Sequence, residues 1–227
     1  MQIEKKIIKF NQDALPENFV AAATYIDSEK EAYHAGILIR LENVNYLCHY
    51  PGFRTPPTIE EGFNEENVIA YKILDSFDND EGDVGAFLAQ CYRVCKETKI
   101  TYGYVIDGSR YKDDGVFESK LGLPEIGTCV GFCINILANS IIDVTDSFYN
   151  LDDWDDSEVD EDIDAFGVRE ALNKYPSLDW NLYDAFKKRI KPIEYISSSF
   201  LNDFPITKQN INAIQPLVEA VIAKKFA

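Results

Sequence analysis

The stretch from Thr128 to Ile141 constrains the fold more than any other part of the chain. Cys129, Val130, Phe132, Cys133, Ile134, Ile136, Leu137 and Ile141 fall on nearly every side of a helical wheel, so a helix here has no face to offer to water and has to be enclosed. Thr128 stands in the N-cap position, where a side-chain oxygen accepts from an otherwise unpaired helix amide. A chain that builds a helix of this kind needs other elements to wrap it, and 227 residues, 46% of them hydrophobic, are enough for one sizeable core.

The wrapping elements are legible mainly in the first half. Ile3 to Phe10 and Val20 to Asp27 have strand character. Ala35 to Ile39 and Tyr46 to Tyr50 read as two strands joined by a turn at Glu42 to Asn45. Pro51-Gly52 and Pro56-Pro57 end that hairpin, and Val68 to Leu74 forms a further extended element. From Asp83 onward Val84, Phe87, Leu88, Cys91 and Cys95 recur at helical spacing. Ile100 to Ile106 is a strand closed by Asp107-Gly108, and Ser109 to Gly127 a glycine-dotted loop.

Eleven acidic residues and no basic one lie between Asp143 and Asp164, which predicts a solvated linker or exposed loop. Beyond it, Ser177 is placed to cap a helix carrying Leu178, Leu182, Phe186 and Ile190, and Thr207 to start another, which Pro216 should kink or split. The expected organisation is an α+β domain over 1–142, with an antiparallel sheet packed on the central helix, an acidic segment over 143–164, and a helical C-terminal extension over 165–227.

Charge and motif content exclude several functions. The 39 acidic against 22 basic residues give a net charge of −17, which repels nucleic acid. No apolar run has the length of a membrane span, and the N-terminus lacks the order of a secretory signal, so a cytoplasmic protein is expected. The five cysteines show helical spacing rather than a disulfide framework. Glu158 occupies the place where a calcium-binding loop beginning at Asp153 needs glycine. No zinc-type ligand spacing and no Gly-rich phosphate loop occurs. No metal and no cofactor is expected.

The chemistry that remains centres on Cys129, His34 and His49. Only two histidines exist, and both fall in the proposed hairpin, where register decides whether they share a face. Cys129 occupies the first turn of its helix, a position that lowers a thiol pKa through unpaired amides and the helix dipole. A nucleophilic cysteine needs an imidazole to take its proton and a third polar group to hold that ring. The competing account makes His34 a strand-edge polar residue and His49 a cross-strand partner. Cys48, Cys91, Cys95 and Cys133 read as core. Tyr102, Tyr104 and Tyr111, with Gly127 and Thr128, are candidates to line a substrate cleft, packing being the alternative for the aromatics.

The pattern Tyr33-His34-Ala-Gly-Ile-Leu-Ile39, then Leu47-Cys-His49, then Gly127-Thr-Cys129-Val-Gly-Phe-Cys-Ile-Asn-Ile-Leu137 resembles the permuted papain-like thiol hydrolases and acyltransferases, the group that includes NlpC-type peptidases and lecithin retinol acyltransferase. The resemblance spans about Tyr33 to Leu137. It implies a permuted papain-like domain in which His34 is the general base, His49 its orienter and Cys129 the nucleophile of an amidase, peptidase or thioesterase acting on a small-molecule, peptide or acyl substrate. The Asn-Cys-Glu-His signature of the acyltransferase branch is missing after Cys129. Two other functions stand beside this one: an acidic immunity-type protein that neutralises a basic protein partner, and an inactive member of the same fold.

Overall fold

The computed structural model describes residues 2–10, 15–65, 69–141 and 147–227. In chain order the elements are α1 (Ile3–Lys6), β1 (Ile8–Lys9), β2 (Phe19–Ile26), β3 (Ala32–Leu41), β4 (Val44–His49), β5 (Thr58–Glu61), β6 (Ile69–Ile73), α2 (Glu81–Glu97), β7 (Thr101–Tyr102), β8 (Arg110–Tyr111), β9 (Phe117–Glu118), β10 (Ile126–Gly127), α3 (Cys129–Ile141), α4 (Glu161–Lys174), α5 (Trp180–Ala185), α6 (Pro192–Ser198) and α7 (Lys208–Lys225). The result is a mixed α+β fold with a six-stranded antiparallel sheet of order β1-β6-β2-β3-β4-β5. Seven α-helices occur among the described residues. None of them is long and apolar enough to cross a membrane.

The β3–β4 hairpin turns on Glu42 and Asn43, both at positive φ (49° and 66°), the left-handed pair that a two-residue turn between twisted strands requires. That turn fixes the register, with Leu41 opposite Val44 and Gly36 opposite His49. Alternation then sorts the side chains. Val20, Ala22, Ala35, Ile37, Ile39, Cys48 and Tyr50 join α2 and α3 in the main core. Ala21, Ala23, Leu38 and Leu47 point the other way, onto Phe10, Phe63 and Tyr71.

The central helix is enclosed as its composition demands: eight of its residues are buried, and Thr128 caps it by accepting from the Gly131 amide at 3.2 Å. Four expectations need correction. Residues 3–10 divide into a turn of helix and a two-residue strand. The helix expected from Ser177 is the short α5, capped instead by Asp179, whose side chain accepts from Leu182 N–H. Helix α7 runs through Pro216 without splitting, since it buries Ile211, Ile214, Val218 and Ile222 on one continuous stripe.

The fourth correction concerns the acidic segment, of which 143–146 lies outside the described residues. Trp154 within it is 2% exposed and shares the main core with Ile37 and Phe132. Its indole N–H donates to Glu194 at 3.2 Å. Basic groups from further along the chain take up the acids: Lys191 pairs with Glu158 at 2.7 Å and Lys187 with Asp164 at 3.2 Å. Charge count alone suggests a solvated linker, but one buried tryptophan contributes more burial free energy than exposed carboxylates oppose. The C-terminal helices are therefore continuous with the core.

Candidate active site

Both imidazoles lie on the same face of the hairpin. His34 Nε2 is 2.9 Å from His49 Nδ1, and His49 Nε2 is 2.8 Å from Glu60 Oε1. Strand β5 delivers Glu60, one step from His49 along the diagonal, because Leu47 pairs with Glu60 and His49 with Thr58. A carboxylate only accepts, so His49 Nε2 carries the proton and its Nδ1 accepts from His34 Nε2–H. The chain of bonds therefore leaves the lone pair on His34 Nδ1. Tyr25 covers the pair, 5.6 Å from the His34 ring and 6.5 Å from that of His49.

Burial pushes the His34 pKa down to about 4, with His49 adding to the shift. His49 is also lowered by burial, and Glu60 opposes that change. Both rings are neutral at pH 7, the form in which one can accept a proton.

Cys129 opens α3 on the other face of the sheet. The residue is partly exposed, yet its sulfur is enclosed against main-chain N–H groups of Ala35, Val130 and its own amide. Those amides lower the thiol pKa, as the helix start predicts, but burial outweighs them and raises it. The expected thiolate is thus corrected to a protonated thiol: the helix terminus supplies about half a unit charge, while removing a sulfur anion from water carries a larger penalty.

The structure brings His34 and His49 together and keeps Cys129 from them. Ala35 and Tyr50, neighbours of the two histidines in sequence, point toward α3, and the imidazoles point away from it. No contact between Cys129 and either ring occurs among the described contacts. Glu60 escaped the sequence reading; the available signal was an acidic residue in the strand after His49.

The cleft candidates also separate. Tyr102 is half-buried, stacks on Phe53 with centroids 5.0 Å apart, and lines an open cleft of about 620 Å³ with Arg54, Lys99 and Glu170. Tyr104 is 2% exposed and Tyr111 fully buried. Tyr111 donates to Glu125 at 2.7 Å and packs on Phe132, so it is a core residue and not a cleft wall. Gly127 pairs with Tyr102 in a short parallel ladder, and Thr128 is occupied as the cap of α3. Among the described residues no group of three or more His, Cys, Asp or Glu is arranged to hold a metal ion.

Comparison of the chain with models of protein families, with curated proteins and with solved structures finds no match.

Proposed function

We propose that the protein is a cysteine-dependent hydrolase of papain-like type, acting on an amide, peptide or thioester. One observation carries the reading: Cys129 opens α3, the helix packed directly against β3, the strand that holds His34. As folded, Glu60 and His49 hold His34 with its proton on Nε2, and turning the ring to the thiol side releases it from His49. In the reaction His34 Nδ1 takes the Cys129 proton, the sulfur attacks the carbonyl carbon, and the oxyanion is stabilised partly by N–H groups at the start of α3. Collapse expels the leaving group with that proton, and water then cleaves the thioester.

As folded, His34 faces away from the thiol, so the proposal includes a rearrangement. Strand β3 already carries an irregularity there: Tyr25 pairs with His34, but Ile26 pairs with Ala32, leaving Tyr33 as the extra residue. Moving a bulge along a strand turns the side chains it passes to the opposite face. A shift toward Ala35 brings His34 to the side of Cys129.

A second reading, a non-catalytic binding protein on this scaffold, is favoured by the raised thiol pKa and by the sheet that separates thiol from imidazoles. Iodoacetamide labelling against pH, with each cysteine followed by mass spectrometry, separates the two. The hydrolase reading expects Cys129 to label fastest of the five and to slow about tenfold or more in His34→Ala. Labelling of Cys129 that is no faster than that of Cys48 or Cys133, or that ignores His34, removes the hydrolase reading in favour of the second.

A further inference from the structure

A second cavity lies on the flank of α3, away from the thiol and the imidazoles. It holds about 610 Å³, within the range of small-molecule sites. Ile106, Ile134, Phe148, Leu151 and Phe186 give it apolar walls. Asp107 lines it and is 7% exposed.

The Asp107 carboxyl is only half satisfied. Its Oδ1 accepts from the Ser109 amide at 2.9 Å, whereas Oδ2 is buried with no partner. A buried carboxylate oxygen left without a donor is strongly unfavourable, and the neighbouring cations do not relieve it. Arg110 directs both Nε and Nη2 to Glu118, at 2.9 and 2.7 Å. Lys120 stands at the exposed rim over Gly108 and makes no ion pair among the described residues. Gly108 itself sits at φ +84°, and a Cβ there would meet the Lys120 side chain at 3.3 Å, so the turn beside Asp107 stays open only with glycine.

We infer that this cavity binds a small organic cation, a primary ammonium or guanidinium carrying an apolar body. The Asp107 carboxyl turns Oδ2 from its enclosed position to accept from the cationic N–H group, and the body lies against the wall formed by Ile134, Phe148 and Phe186. A carboxylate ligand is rejected by Asp107, and a neutral apolar one leaves Oδ2 unpaired.

Phenethylammonium is a suitable probe, titrated by calorimetry into the full chain beside phenylacetate and 2-phenylethanol. Saturable one-to-one binding of the ammonium is expected, with no binding of the acid and at least tenfold weaker binding of the alcohol. Asp107→Asn preserves the acceptor for Ser109 and removes the charge, and should weaken the ammonium by about tenfold or more. If that variant melts early, Ala138→Phe fills the cavity from α3 with Asp107 intact, and should abolish binding. Unchanged affinity in the folded Asp107→Asn or Ala138→Phe protein, equal binding of phenylacetate, or no saturable binding of the ammonium overturns the inference. Cys129→Ala should bind the ammonium as the parent does, so this result stands apart from the hydrolase reading.

Discussion

The two faces of the sheet differ in a way that composition does not announce: all five cysteines pack with the core under α2 and α3, while both histidines stand on the opposite face. Thiols tolerate a dry interior as small hydrophobes. Cys48 and Cys95 approach to 3.8 Å there, and burial raises the pKa of Cys133. An imidazole has two polar nitrogens to satisfy, and the other face provides a chain of partners ending at a half-exposed carboxylate. One strand, β3, serves both faces by alternation, and the chemistry of each side follows from what the neighbouring elements offer.

The largest expected effect tests the packing difference. Phe132, fully buried between Tyr50 and Tyr111, should cost about 3–5 kcal/mol on substitution by alanine. Phe63, 4% exposed on the imidazole face and just beyond the end of β5, should cost less, because backbone outside a strand or helix closes over a gap more readily than a helix does. Urea unfolding of the two variants measures both, and equal losses would break the comparison.

Acid should affect the imidazole face first. The unfolded chain takes up a proton at His34 near pH 6.5, while the folded protein resists until about 4. Folding therefore loses stability as pH falls through that window, by about 2 kcal/mol once the partial exposure of the ring is allowed for. His49 acts in the same direction. Between pH 6.5 and 5, above the range of the carboxylates, His34→Ala should flatten the dependence of unfolding free energy on pH; an unchanged slope would place the proton uptake elsewhere.

On the thiol face, Cys48→Ser places a hydroxyl at a position with 0% exposure and should cost about 1–3 kcal/mol. Cys95→Ser, at a partly exposed position, should cost less. Thermal melts of the pair check the gradient from core to rim, and the reverse order would contradict the assignment of Cys48 to the dry side.

Short-range signals explain what was legible in the sequence. The hairpin followed from Glu42 to Asn45 between two apolar runs, the enclosed helix from apolar residues on every side of α3, and the juxtaposition of His34 and His49 from hairpin topology. What was not legible depends on position in space. Alternation along β4 opposes Cys48 and His49, yet which face receives α3 is decided by the packing of β2, β3 and β4 together, and that choice parts Cys129 from the imidazoles. Trp154 was hidden by the carboxylates around it, and helix α6, with Tyr195 donating to the Gly36 carbonyl at 3.2 Å, has too short a period to stand out.

The smallest effect gives the sharpest view of the imidazole face. Glu60 sets the proton arrangement of both rings because its carboxylate can only accept. Glu60→Gln replaces one acceptor oxygen by an NH₂ group, so His49 Nε2 can become the acceptor and its proton move to Nδ1. His34 must then accept at Nε2 and carry its own proton at Nδ1. Nitrogen-15 chemical shifts of the two side chains should report Nε2–H on both rings in the parent and Nδ1–H on both in the variant, with a stability change of only about 1 kcal/mol. Rings that keep the parent tautomers in the variant would mean that the new amide presents its oxygen to His49 Nε2–H, so that an acceptor at position 60, and not its charge, sets the chain.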